Sequence, residues 1–314
     1  MKHLKTRLLP LLAVALSFGA TATMKAGTGA SSPTARAIVT VQAKAGAHPA
    51  QLNSDDLLVY EGKQRAQVTS IKALKGDDAG LQLFIYLDDS TSASTLGSRL
   101  PELKTFIRSL PATTQVAIGY MRNGGFSLAQ PFTTEHADAV NALRLPMGTP
   151  GGNGSPYFAL SYLVKHWPSK EHVQRRAVLM LTDGVDRYYN NQTMDDPYVD
   201  AATKDSQRLG VLVYSIYLRG SGFYSAGGWG VTMAQSRLQD VSNKTGGECF
   251  LEGLTTPVSL TPYLDQLNNR LAHQYEVTFV ASKTAGLLPV TFRSELPKVK
   301  LAAPHDVSVR TNAS

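Results

Sequence analysis

The residues best suited to chemistry in this chain are Asp88, Ser90 and Ser92, the alternating oxygen-bearing positions of Asp88-Asp89-Ser90-Thr91-Ser92. Three hard oxygen donors so close together suit Mg²⁺, or Mn²⁺ or Ca²⁺, better than a softer metal. The competing reading is local, since Asp and Ser also cap helices. Two further stretches carry related chemistry. An apolar run, Val178-Leu179-Met180-Leu181, ends in Thr182-Asp183-Gly184, and a Gly-rich stretch, Gly151-Gly152-Asn153-Gly154, leads into Ser155-Pro156. Alone, Asp183-Gly184 reads as a turn, and Ser155 as a helix cap with Pro156 at the first helical position.

The elements around these groups give them a common address. Residues 81–87 read as a buried strand, and Leu96, Leu100, Leu103, Phe106, Ile107 and Leu110 follow at helical spacing. From 81 onward strands (81–87, 116–121, 177–181, 211–218, 248–251) alternate with helices (96–110, 135–145, 157–166, 200–209, 231–244, 260–273), with 126–132 as an edge strand. That alternation predicts an α/β domain with a doubly wound, mostly parallel sheet over 81–273. The carboxyl ends of parallel strands share one edge, where such sheets place ligands. Asp88 and Asp183 are therefore expected to converge, with the Gly-rich loop close by and Ser155 as a third hydroxyl. Short β stretches flank this domain at 36–75 and 274–310. Neither has enough strands to bury a core alone, so the two are expected to meet as one small β module.

Residues 1–22 read as a secretory signal peptide: Lys2, Lys5 and Arg7, then the apolar run 8–18, then Ala20-Thr21-Ala22. An uncleaved anchor is the alternative. Residues 23–35 read as a flexible leader. The remaining ~290 residues suffice for one ordinary domain and a small second one. With the signal go three cations and no acid, so the formal charge falls from +7 to +4. No clustered Lys/Arg face marks a nucleic-acid binder, and no later stretch is apolar enough to span a membrane. The single Cys249 excludes an intramolecular disulfide and reads as a buried apolar residue.

Taken together, D-x-S-x-S, a Gly-rich loop with a hydroxyl, and a strand ending T-D-G resemble the metal-ion-dependent adhesion site of von Willebrand factor type A (vWA) domains. The flanks Asp56-Leu57-Leu58-Val59-Tyr60-Glu61-Gly62-Lys63 and His273-Gln274-Tyr275-Glu276-Val277-Thr278-Phe279 look like those of the VWFA-related domain proteins of acidobacterial type. The resemblance spans nearly the whole chain after the signal. It implies a Rossmann-like fold in which Ser90 and Ser92 hold a divalent ion directly, Asp88 and Asp183 hold it largely through water, and Ser155 stands where the family has Thr. Two departures are Thr91, where Gly is usual, and an ambiguous alignment that leaves Gly154 as the alternative to Ser155.

These readings lead to an exported, periplasmic or secreted, non-catalytic adhesion protein whose ion accepts a carboxylate from a protein partner. Asp89, Asp186 and Arg187 lie beside the expected rim, with solvated surface charge as their plainer reading. In the Gly/aromatic loop 220–230, Phe223, Tyr224 and Trp229 are candidate contacts, with burial of Trp229 as the alternative. Tyr188-Tyr189-Asn190-Asn191 is a second such loop. One alternative is a structural domain with a vestigial site. Another is a Mg²⁺-dependent phosphohydrolase, because a strand-end aspartate also resembles the haloacid-dehalogenase-type phosphatases. Their D-x-D motif has a second carboxylate where this chain has Ser90, which leaves no acid/base partner. The seven His form no metal-spaced pair.

Overall fold

A computed structural model describes residues 32–43, 51–149, 152, 154–189, 193, 195–220 and 227–310. The signal segment lies outside them. The central sheet has the order β10-β9-β8-β5-β6-β7, built from β5 (Leu81–Asp88), β6 (Thr114–Arg122), β7 (Gly125–Thr133), β8 (Arg175–Thr182), β9 (Val211–Tyr217) and β10 (Cys249–Phe250). Only β7 runs antiparallel, at the edge. The chain order reverses between β5 and β8, which is the topological switch point where doubly wound sheets bind ligands.

Period-two alternation explains the two cores. Leu83, Ile85 and Leu87 of β5 face one side with Leu179 and Leu181 of β8. There they meet α2 (Leu100–Ser109), α3 (His136–Asn141) and α7 (Thr261–Ala272). Phe84 and Tyr86 face the other side with Val178 and Met180. Opposite them lie α4 (Pro156–Lys165), α5 (Pro197–Leu209) and α6 (Gly228–Lys244). β5 is buried along its whole length.

Several elements differ from the sequence expectation. The helix expected over 96–110 is two: α1 (Ala93–Gly97) ends, and α2 restarts with Pro101 in its first turn, where a missing N–H costs nothing. α5 starts three residues early because the Asp196 carboxylate caps it, accepting from the N–H groups of Tyr198 and Val199. α3 is shorter than expected, and the strand expected over 248–251 keeps only two residues.

The segments before and after the α/β domain share one antiparallel sheet. β1 (Thr34–Ala43), which begins inside the expected leader, pairs with β11 (Gln274–Val280) from Thr34↔Val280 to Thr40↔Gln274. The sheet continues as β12-β15-β1-β11-β4, with β14 also on β1. Here β4 is Val68–Ala73, β12 Gly286–Pro289, β14 Val299–Ala302 and β15 Asp306–Arg310. A smaller sheet of β2 (Leu57–Glu61), β3 (Gln64–Ala66) and β13 (Thr291–Ser294) covers one face. Val39, Val41, Val59, Val277 and Phe279 fill the space between. On the other face of β1, beside Arg36, Thr40 and Gln42, Ile38 belongs to the α/β core instead.

A buried polar knot joins the two parts. Arg175 is 5% exposed. It donates to Leu271 O in the last turn of α7 (2.6 Å), to Gln274 Oε1 (2.5 Å) and to Ala79 O (3.0 Å). Gln274 Nε2 in turn reaches Tyr214 Oη (2.9 Å) and Thr40 Oγ1 (3.2 Å). Burial pulls the Arg175 pKa down to about 10, well above neutrality, so a cation sits against helix C-terminal carbonyls. Arg175→Ala would strand the Leu271 and Ala79 carbonyls. It should cost about 3 kcal/mol, read as a lower midpoint in urea unfolding.

Candidate functional site

The register of two neighbouring strands builds the site. β5 and β8 run parallel with Leu87 opposite Leu181, so the next residues, Asp88 and Thr182, lie side by side at the carboxyl edge. Both have the parity of Phe84 and Val178, so their side chains share a face. Thr182 Oγ1 accordingly donates to Asp88 Oδ2 at 2.8 Å. The other oxygen, Oδ1, accepts from the Ser90 N–H (2.9 Å) and Ser90 Oγ (2.7 Å). A turn from Asp88 O to Thr91 N (3.0 Å) folds the loop back, and Thr91 is itself buried.

Asp183 follows Thr182 and turns at once, because Gly184 adopts a φ of 67° that other residues rarely reach. Its Oδ1 accepts from Val185 N–H (3.0 Å) and its Oδ2 pairs with Arg187 Nη2 (2.8 Å). Gly220, after β9, presses on the same carboxylate: a Cβ there would sit 2.4 Å from Asp183 Oδ2.

The electrostatics follow from burial. Asp88 is 2% exposed, and desolvation together with the nearby Asp183 charge holds its pKa above the ordinary carboxylate range, against the pull of Ser90 and Thr182. Burial and the Asp183 charge likewise push the Tyr217 hydroxyl up to about 12. Asp88 is thus a carboxylate in a dry place, near a second one, answered by hydroxyls and an amide.

The other expected residues are placed differently. Ser92 is half-buried and exchanges a hydrogen bond with Ser94 Oγ (2.8 Å). Ser155 is fully buried, but its Oγ donates to Asp186 Oδ2 (2.6 Å) and accepts from Phe158 N–H (3.1 Å) as the cap of α4. Its hydroxyl is therefore committed to Asp186. Asp89 and Asp186 are buried and are not solvated rim charges. Asp89 Oδ1 holds Arg144 (2.6 Å) and Met147 N–H (3.0 Å). Burial works against its ionised form, but the Arg144 and Met147 hydrogen bonds outweigh it and bring the pKa below the usual value. Asp186 Oδ1 accepts from Tyr188 and Tyr189 N–H groups (2.8 and 2.9 Å). Phe223 and Tyr224 lie outside the described residues, as do Asn190 and Asn191. Trp229 lies in the first turn of α6 and is 62% exposed, so it does not tuck into the domain. Cys249 is buried, and burial pushes its thiol up to about 11, far from a reactive thiolate.

The sequence reading left Thr182 without a role and did not single out the aromatic face beside the loop. Strand register was the signal for Thr182. Phe158 and Tyr162, four apart on α4, are both exposed, and Tyr188 packs edge-on to Phe158 with centroids 6.0 Å apart. Tyr188 can lie there because Gly154 offers no Cβ.

The donor set, carboxylates and hydroxyls only, fits a hard divalent cation and no softer one. Among the described residues no group of three or more His, Cys, Asp and Glu is placed to hold a metal. Any ion here must therefore rely on Asp88 and Asp183 with hydroxyls and water. Among the described residues no helix is long and apolar enough to cross a membrane.

No protein family matches the chain by sequence, and no curated protein does. Solved structures it is similar to include an aerotolerance-related membrane protein from Bacteroides fragilis NCTC 9343 carrying mutations to serine. That likeness has 17% identity, covers 61% of this chain and 98% of that one, and has a TM-score of 0.41. BatB from Bacteroides thetaiotaomicron is similar at 15% identity, over 62% and 98%, with a TM-score of 0.43. The Rpn10 VWA domain is similar at 11% identity, over 59% and 94%, with a TM-score of 0.38. Likenesses at this level assign neither family nor function.

Asp88 makes the site a source of pH-dependent instability. Its folded pKa is raised, so the folded state holds the proton more tightly than the unfolded one. Stability is then lost as pH rises from the unfolded value through the folded one. Asp88→Asn should melt higher than wild type at pH 7 in EDTA, with the gain vanishing below pH ~3.8, where the carboxyl is neutral in both states. Melting curves across pH check this.

Proposed function

We propose that this chain is an exported, non-catalytic binding protein of vWA type. In this reading a divalent cation, Mg²⁺ or Mn²⁺, bridges the carboxyl edge of the sheet to a carboxylate on a protein partner. The observation that carries it is the buried Asp88 carboxylate at the switch point, held by Ser90 and Thr182 within reach of the Asp183 charge and paired with no cation among the described residues. Asp88, Ser90 and Asp183 would hold the ion, Ser92 would join from the same loop, and Thr182 would position Asp88. When bound, the ion supplies positive charge and an open coordination position. The residues supply the rest: the β5–β8 register fixes Asp88, and the Thr91 turn brings Ser90 onto it. Ser155 is left as a loop anchor through Asp186.

A non-catalytic reading is supported by the chemistry beside Asp88. The side chains hydrogen-bonded to it are the hydroxyls of Ser90 and Thr182, neither a general acid/base near neutral pH, and the nearby Asp183 carboxylate is engaged by the Val185 N–H and Arg187. The Tyr217 hydroxyl, pushed up to about 12 by burial and then by the Asp183 charge, lies far above neutrality.

Calorimetric titration of Mg²⁺ and of Mn²⁺ into the protein tests the proposal. Saturable binding is expected, lost in Asp88→Asn and weakened about tenfold or more in Ser90→Ala, the loss of roughly one charge-assisted ligand. Mg²⁺ at about 100 times its Kd should also stabilise the wild type by ~2.7 kcal/mol and leave Asp88→Asn unmoved. An absence of binding to the wild type overturns the metal-bridged reading and leaves a domain with a vestigial site.

A further inference from the structure

The cation already at the site belongs to the chain. Arg187 Nη2 lies 2.8 Å from Asp183 Oδ2, with the guanidinium side chain 17% exposed and the carboxylate 8%. This is the oxygen left over once Asp183 Oδ1 has taken the Val185 N–H. Arg187 is also held from behind: its N–H donates to Gly154 O (2.6 Å), and Nη1 reaches Val185 O (3.3 Å). Its backbone is therefore pinned to the Gly-rich loop while its side chain reaches across the site. Gly220 closes on the same Asp183 oxygen, so the space beside it is narrow. A guanidinium and a divalent cation drawn to this one oxygen would repel each other.

We propose that Arg187 is a tethered competitor for the divalent cation: it neutralises Asp183 when the ion is away and must swing off that carboxylate for the ion to bind. The proposal rests on the metal-bridged reading above. The charge count favours exchange over coexistence. The guanidinium pairs with Asp183, while among the described residues Asp88 has no ionic partner and its ionisation is opposed by burial and by Asp183. A divalent cation answers both carboxylates. Displacement therefore exchanges a partial neutralisation for a complete one, at the cost of a mostly buried ion pair. The released guanidinium stays at the rim, tied through its own backbone to Gly154, with donors turned toward an arriving partner carboxylate. Metal affinity in the absence of partner is thereby set low, and the partner's acid raises it by giving Arg187 a second place to pair.

The test compares wild type, Arg187→Gln and Asp88→Asn by Mg²⁺ calorimetry. The proposal expects Arg187→Gln to bind about tenfold or more tightly than wild type, equivalent to about 1.4 kcal/mol. Equal or weaker binding by a folded Arg187→Gln overturns the competitor role while leaving the metal site standing. Binding by neither protein overturns the metal-bridged reading and the competitor role with it. A second measurement uses the wild type alone: Mg²⁺ saturation should shift the Arg187 Nε–Hε resonance, assigned by its absence in Arg187→Gln or Arg187→Lys, and should leave it fixed in Asp88→Asn. A resonance that stays put while the wild type takes up Mg²⁺ overturns the proposal even if Arg187→Gln does not fold.

Discussion

The parallel register between β5 and β8 is the constraint on which the rest of the site depends. Leu87 opposite Leu181 sets Asp88 beside Thr182, and a slip of one residue would send one of them to the opposite face. That register is held by burial on both faces, where Leu83, Ile85 and Leu87 pack on one side and Phe84 and Tyr86 on the other. A strand buried on both faces has no solvent side to slip toward. The hydrogen bond from Thr182 to Asp88 is then a consequence of core packing far from the edge.

Most buried aspartates of the α/β domain are paired with cations, and among the described residues Asp88 and Asp186 are not. Asp89 has Arg144, Asp183 has Arg187, Asp196 has Arg237 and Asp205 has Lys165 and Arg208. Asp88 sits deeper than most and is answered by two hydroxyls and one amide. A fold that pairs most of its buried aspartates but leaves Asp88 dry beside a second carboxylate keeps a local destabilisation, and such groups concentrate where proteins bind or react. The same imbalance accounts for the Arg187 contact, since a single guanidinium meets only part of the charge. Stability and binding then draw on the same two aspartates in opposite directions.

The β module serves the site indirectly. Its sheet is completed only when the chain returns from the α/β domain, and β1 carries side chains for both cores. The Arg175 knot sits at the amino end of β8, the opposite end of the strand from Thr182. It ties β8, α7 and β11 together, so the strand that presents Asp183 is anchored at its far end as well as along its faces.

The sequence by itself determined the alternation of strands and helices, the apolar runs of β5 and β8, and the types of oxygen donor at their ends. These are local properties: period two, period 3.6, and the composition of each strand-to-helix turn. It also showed that two β stretches flank the domain, though not that β1 would be buried on both faces. Only the tertiary structure decided which donors meet. Ser155 and Asp186 read as separate features 31 positions apart, yet they close on each other because the α4 cap and the loop after β8 share one edge. Asp89 reads as a rim charge until Arg144, far along the chain, covers it. Arg187 reads as surface charge until the Gly184 turn brings it back onto Asp183. Partner choice among charged and hydroxyl side chains depends on distances across the chain, and local sequence carries no record of them.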